Sequence, residues 1–171
     1  MDRRDFLTLA CLLPAGAVLA APAAPVAAGL SLPAAINKAG RQRLLSQRMA
    51  KAWLMLVQGV LSEKAKSILG QSTQLFEQQL VELKTLQPNE DCRAAWLLLE
   101  QEWGRYRPQL ADIRSDAKAV WTGSEAVLAA AQKLTVAYER ASGTPGGRLV
   151  NLAGRQRMLS QRAAKAYFFR N

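Results

Sequence analysis

The sequence predicts an all-α fold, a mostly antiparallel bundle of four to five helices in one domain of a 171-residue chain. Two observations on composition predict it. Half of the residues are hydrophobic but only 6% are aromatic, and alanine, leucine and glutamine are plentiful. After the first thirty residues, glycine and proline fall mostly between long runs. This composition is typical of packed helices, and short loops between them make neighbouring helices antiparallel.

Residues 1–28 are predicted to be a cleaved export signal, because a short charged start is followed by an apolar run and then by small residues. The string RRDFL at 3–7 resembles the twin-arginine export motif, with an ordinary Sec signal or an uncleaved anchor as alternatives. After residue 30 no apolar run reaches the roughly 20 residues that a membrane span needs. The mature chain, 31–171, is therefore expected to be soluble and periplasmic.

Five helices follow from caps and apolar periodicity. The first is predicted from about 33 to 59, with Ser31 as its cap and Pro33 in its first turn. The second is predicted over 62–86, with Ser62 as its cap.

A third helix is predicted to begin near Asn89, to be kinked or split by Gly104 and Pro108, and to close by residues 121–125. A fourth should start at Ser124. The last should begin near Arg148 and still be helical at the final residue.

An internal repeat is the most specific feature of the sequence. RQRLLSQR at 41–48 returns as RQRMLSQR at 155–162, and 36–53 aligns with 150–167. Thirteen of the sixteen positions from Asn37 to Ala52 are identical to their counterparts. The net charge of +10 lies in these copies, because 36–62 contributes +5 and 148–171 contributes +6 without any acidic residue.

Helical periodicity places Arg43 and Arg157 on a small, apolar, core-facing stripe of their helices. Burying an unpaired guanidinium costs several kcal/mol, and no carboxylate lies three or four residues away. Two compensations remain open. A neighbouring helix could supply an acid such as Glu77, Glu100 or Glu102, or a small anion could lie between the two arginines.

The repeat resembles two related sensor families. AGRQRMLSQRxAKAY closely resembles the N-terminal domain of type IV pili methyl-accepting chemotaxis transducers, the PilJ type, over 36–54 and 150–168. Its core is also similar to the periplasmic domain of NarX-type nitrate sensor kinases. The middle of the chain matches only as a helical pattern, and neither a transmembrane helix nor a kinase or methyl-accepting segment is expected after the domain.

The resemblance implies a periplasmic sensory module for a small, nitrate-like oxyanion. In the nitrate sensors the motif helix pairs across a homodimer, an arginine matching Arg43 binds nitrate, and a second arginine of the motif matches Arg48. Arg43 and Arg157 are accordingly expected to clamp the anion. Further contributions are expected from three pairs of side chains, namely Arg48 and Arg162, Gln47 and Gln161, and Arg41 and Arg155. A membrane receptor or a type IV pilus-linked system would be the signalling partner, and a homodimer is possible.

Other functional classes fit less well. The absence of histidine, of a Gly-rich phosphate loop and of a nucleophile elbow predicts no catalytic residue, no metal site and no cofactor, so an enzyme is not expected. Export argues against nucleic acid as a partner, and a basic core-facing stripe argues against a membrane-bound helix. The alternative function is a structural or protein-interaction bundle in the periplasm, whose arginines form internal salt bridges.

Overall fold

The computed structural model of the protein describes residues 29–170, which form five α-helices and no strand. The helices are α1 (Leu32–Val57), α2 (Ser62–Lys84), α3 (Glu90–Ala111), α4 (Ala117–Ser142) and α5 (Pro145–Arg170). The predicted all-α bundle is confirmed. The predicted export signal lies outside the described residues. Within 29–170 no helix combines the length and the hydropathy that crossing a bilayer requires.

The beginnings of the first two helices follow different rules. At α1 the Ser31 hydroxyl accepts a hydrogen bond from the Ala34 amide at 3.4 Å and Pro33 lies in the first turn, as predicted. Ser62, predicted as the cap of α2, is instead its first helical residue. Leu61 precedes it in a left-handed conformation, and no side chain caps the helix.

The boundary between α3 and α4 differs from the prediction. α3 continues through Pro108 to Ala111, and α4 begins at Ala117, where Asp116 accepts a hydrogen bond from the Ala119 amide at 3.1 Å. Gly123 lies within α4 and does not end a helix. A Cβ atom there would be 2.7 Å from Cδ2 of Tyr106, so this glycine allows α3 and α4 to approach closely.

The core lies around α1, which packs against α2, α4 and α5, while α3 packs mainly against α4. Six aromatic side chains are buried between the helices, and the polar atoms of four of them donate to backbone carbonyls. The indole of Trp96, for example, donates to the carbonyl of Leu80 at 3.0 Å. The buried aromatic residues are Trp53, Phe76, Trp96, Trp103, Tyr106 and Tyr138.

α5 is the outer helix of the bundle and runs parallel to α1. Gly147 faces Ile36 near the beginnings of the two helices, and the Gln58 amide donates to the carbonyl of Phe168 near their ends. This direction follows from the alternation of five consecutive helices. α5 buries only four residues, and Arg157 is exposed, so the core-facing position predicted for Arg157 is wrong. Gly154 is buried, and Val150 and Phe168 pack against the core, as the periodicity of the second copy predicts.

Candidate functional site

The two motif helices touch at a pair of glycines that are equivalent in the repeat. A Cβ atom on Gly154 would lie 3.9 Å from Cα of Gly40, and a Cβ atom on either glycine would lie 3.0 Å from Nη2 of Arg43. The copies are therefore parallel and in register, and an approximate twofold axis runs between them. Under such an axis, equivalent side chains of the two helices point to opposite sides of the pair.

The side of the pair that faces α4 holds the Arg43 guanidinium, which is completely buried. Its Nη1 donates to Oε1 of Gln132 at 2.5 Å and to Oδ1 of Asn151 at 2.8 Å, and its Nη2 donates to the carbonyl of Asn151 at 3.2 Å. The Asn151 amide in turn donates to Glu139. Burial and the neighbouring Arg155 lower the pKa of Arg43 to about 10, against the opposing effect of Glu139.

A second cluster on the same side is formed by Lys165, which is also completely buried. Its ammonium donates to Oε1 of Glu125 at 2.6 Å and to Oγ of Ser124 at 2.9 Å, and it lies 3.7 Å from the ring centre of Trp121. Arg162 donates to the other oxygen of Glu125 at 2.7 Å. Burial lowers the pKa of Lys165, although Glu125 partly opposes this effect. Lys165 therefore lies in the protein interior, although its own segment contains no acidic residue.

The opposite side of the pair, which faces α2, contains an open cavity of about 230 Å³ that we call the arginine cavity. Three of its lining residues are arginines, and none is acidic. Within residues 29–170, no side-chain hydrogen bond or ion pair engages these three guanidinium groups. The cavity is lined by Asn37, Gly40, Arg41, Leu44, Leu45, Arg48, Leu75, Gly154 and Arg157.

The twofold relation shows that the arginine cavity lacks the acceptor oxygens present on the α4 side. Arg157 is the counterpart of Arg43, and Arg48 is the counterpart of Arg162. On the α4 side, amide and carboxylate oxygens accept hydrogen bonds from Arg43 and Arg162. On the other side, the only α2 residue that lines the cavity is Leu75. A cation cluster without internal counter-charge attracts oxyanions, and arginine binds them through planar, forked donors.

The predicted site residues thus divide between two places. The structure brings Arg41, Arg48 and Arg157 together in the cavity, while Arg43 is not among the lining residues. A single clamp made by Arg43 and Arg157 therefore needs correction, because in-register parallel packing sends the two side chains to opposite sides.

The remaining candidates lie outside the cavity. Gln47 is buried and donates to the carbonyl of Ser124 at 3.1 Å, and Gln161 is half-buried on α5. Arg155 borders a depression on the α4 side that also includes Glu125 and Gln132, and Arg162 pairs with Glu125.

The acids proposed as internal partners of Arg43 do not contact it. Glu77 pairs with Arg107 at 2.9 Å, Glu102 pairs with Arg105 at 2.9 Å, and Glu100 is exposed. The acceptors that bind Arg43 are amides, which no search for opposite charges would find.

The neutral part of the cavity was not predicted from the sequence. Asn37 belongs to the repeat and could have been included, because it lies on the same helical flank as Arg41. Leu75 gives no such signal, because the cavity position of an ordinary apolar residue on α2 depends on how the helices pack.

Comparison with known proteins gives one match. The family model described as the N-terminal domain of type IV pili methyl-accepting chemotaxis transducers, PilJ, matches residues 29–140. The match covers α1 to α4 almost to the end of α4, and α5 with the second motif copy follows it. No curated protein and no solved structure matches the chain significantly.

Proposed function

Because the chain belongs to the PilJ family of type IV pili methyl-accepting chemotaxis transducer N-terminal domains, we propose that it binds a small oxyanion as a sensory module. The sensory-type helical domain suggests a role in chemotaxis or pilus-linked signalling. The proposed ligand is nitrate-like, and the proposed location is the periplasm, reached through the export signal at 1–28.

The observation that carries the proposal is the arginine cavity. The cavity is lined by Arg41, Arg48 and Arg157 and by no acidic residue. By contrast, Arg162, the counterpart of Arg48 on the α4 side, pairs with the carboxylate of Glu125. Mutual repulsion of the three cations disfavours the empty cavity, and a bound anion relieves that repulsion. Arg43 has a supporting role, since its guanidinium holds α5 against α1 at the back of the cavity.

In this proposal the module binds and does not catalyse. The cavity offers cations, one amide and leucines, and so has no group suited to general acid–base or nucleophilic work at neutral pH. A membrane receptor or a pilus-linked system would carry the signal onward. Such a partner would bind where it responds to the position of α5, because the cavity is formed jointly by α1, α2 and α5.

The alternative, a structural bundle with internally neutralised arginines, is favoured by the α4 side. Arg43 and Arg162 there are engaged by Gln132, Asn151 and Glu125. That alternative accounts for the α4 side of the two motif helices and leaves the cations of the arginine cavity unexplained.

The test is thermal unfolding of the exported form of the protein with nitrate, nitrite, sulfate or chloride at constant ionic strength. A ligand at a hundredfold excess over its dissociation constant should stabilise the fold by about 2.7 kcal/mol. We expect this gain to disappear in Arg157→Gln. It should persist in Arg155→Gln, which removes a charge on the α4 side and serves as the matched control. Equal gains for every salt, in both variants, would reduce the effect to general screening.

A further inference from the structure

The arginine cavity is large for nitrate. A liquid water molecule occupies about 30 Å³, an apolar cavity of about 150 Å³ accommodates benzene, and drug-sized pockets begin near about 300 Å³. A cavity of about 230 Å³ therefore fits a small organic molecule. A four-atom oxyanion would leave much of this space to water, and the leucines beside it would gain nothing from its binding.

The charges and the apolar groups of the cavity follow an order along α1. Arg41 comes first, Leu44 and Leu45 follow, and Arg48 comes last. Seven residues of α-helix rise by about 10.5 Å, so the two arginines begin two turns apart with the leucines between them. Leu75 of α2 completes this apolar middle.

Arg157 adds a second cation to the Arg41 end of the cavity. It is the counterpart of Arg43 in the in-register pair, so its Cα lies closer in level to Arg41 than to Arg48. Long helical side chains also lean toward the helix N-terminus, which is the Arg41 end for both parallel helices. The amide of Asn37 lies at this end as well. The cavity thus has a strong anion position at one end and a single cation at the other.

We infer that the ligand of this cavity is a short aliphatic dicarboxylate. Its first carboxylate would bind Arg41, Arg157 and Asn37, its methylene chain would contact the leucines, and its second carboxylate would reach Arg48. The inference rests on the proposed function and replaces nitrate by a longer dianion at the same site.

The experiment compares ligands of matched chemistry by calorimetric titration and thermal unfolding at constant ionic strength. The probes are nitrate and sulfate, the monocarboxylates acetate and butyrate, and the dicarboxylates succinate and glutarate. At least one dicarboxylate should bind about tenfold more tightly than butyrate, because it gains a charge-assisted contact that butyrate cannot make.

Two variants assign the ends of the ligand. Arg48→Gln should reduce dicarboxylate affinity to the level of butyrate and leave butyrate binding unchanged. Arg157→Gln should weaken both classes by about tenfold or more. Arg155→Gln, whose residue lies on the α4 side, should change neither.

The outcomes separate the two proposals. Nitrate or sulfate binding as tightly as the dicarboxylates, with loss in Arg157→Gln, would overturn the dicarboxylate and retain the anion site. An equal effect of Arg48→Gln on butyrate and succinate would also overturn it. No binding of any probe, in a protein whose unfolding remains cooperative, would overturn the proposed function itself.

Discussion

Arg43 and Arg157 occupy equivalent positions in two nearly identical segments, yet their guanidinium groups have opposite surroundings. The neighbouring helix makes the difference. α4 brings Gln132 to the first arginine, and α2 brings Leu75 to the cavity of the second. Desolvation of a guanidinium is tolerated only where several acceptors replace water. The first arginine therefore serves packing, whereas no side-chain partner contacts the second within the described residues.

The residue-scale prediction concerns Glu125, the only carboxylate that contacts the buried ammonium of Lys165 in the described part of the chain. Glu125→Gln should destabilise the protein by about 3 kcal/mol, because it leaves a buried cation without its counter-charge. Lys165→Met introduced into that variant should recover most of the loss. Urea unfolding of the two single variants and the double variant measures the coupling.

Arg162→Met provides the control for this cycle, because Arg162 also contacts Glu125 but its side chain is 47% exposed. A partly exposed pair of this kind contributes about 0.2–1 kcal/mol. Additive losses from Glu125→Gln and Lys165→Met would show that the two groups are not coupled and would contradict the predicted recovery.

At the scale of the element, α5 is held by close backbone approach and polar contacts more than by apolar burial. Its buried residues are Gly147, Gly154, Met158 and Lys165, and only one of these is a large apolar side chain. Its outer surface exposes Leu149 and Leu152. A helix fixed in this manner depends on a few positions, and the contact of Gly154 with Gly40 is the one that brings the two motif copies together.

The element-scale prediction compares two glycines inside helices. Gly154→Ala should destabilise the protein by about 1 kcal/mol, although alanine is the better helix former. Its Cβ would push Nη2 of Arg43 away from the Asn151 carbonyl, whose hydrogen bond is then lost. Gly104→Ala in α3 should stabilise by up to about 1 kcal/mol, because beyond the local helix backbone no atom lies within 4 Å of the new methyl group.

Denaturant unfolding of both variants, with hydrogen exchange of α5 amides, measures the outcome. Faster exchange confined to α5 in Gly154→Ala is expected. Stabilisation by both alanines would mean that the crossing of α1 and α5 tolerates a methyl group, and that the glycine pair does not fix their distance.

For the whole molecule, sequence patterns predicted the helices, because caps and apolar periodicity are local properties of the chain. Caps such as Ser31 and Asn89 identified the beginnings of α1 and α3 correctly. The side to which Arg157 points was not predictable in the same manner. It depends on the direction and register of α5 against α1, which five alternating helices determine together.

Lys165 illustrates the same limit at the whole-molecule scale. A basic residue with no acidic neighbour in its own segment looks solvated, yet α4 supplies Glu125 and Trp121 from about forty positions earlier in the chain. The predicted helix end at residues 121–125 was wrong for a related reason. Gly123 allows close contact with α3, but in the sequence alone such a glycine looks like a helix terminator.

Two tyrosines link helices across the core and make the stability of the whole bundle sensitive to alkaline pH. The Tyr138 hydroxyl of α4 shares its single proton between the carbonyls of Leu83 and Leu86, at 3.0 and 2.7 Å, near the end of α2. The Tyr106 hydroxyl of α3 donates to the carbonyl of Ser46 on α1 at 3.3 Å. Burial raises the pKa of both tyrosines above the usual value, with a smaller contribution from the Cys92 thiol at Tyr138.

The last prediction concerns how the effect of Tyr138→Phe depends on pH. Near pH 8 the variant should be less stable by about 1–2 kcal/mol, because two carbonyl acceptors lose their donor. Above about pH 10 the tyrosine of the unfolded chain ionises while the folded one stays protonated, so the unfolded state binds fewer protons. The advantage of the unmodified protein should then shrink by up to about 1.4 kcal/mol per pH unit. The lowered pKa values of Arg43 and Lys165 produce the opposite slope, but both proteins contain these residues and the difference cancels them. Urea unfolding of the two proteins between pH 8 and pH 11 measures this difference, and Tyr106→Phe should show the same trend. A difference that stays constant over the whole range would mean that Tyr138 ionises as easily in the folded bundle as in the unfolded chain, which its burial between α2 and α4 does not allow.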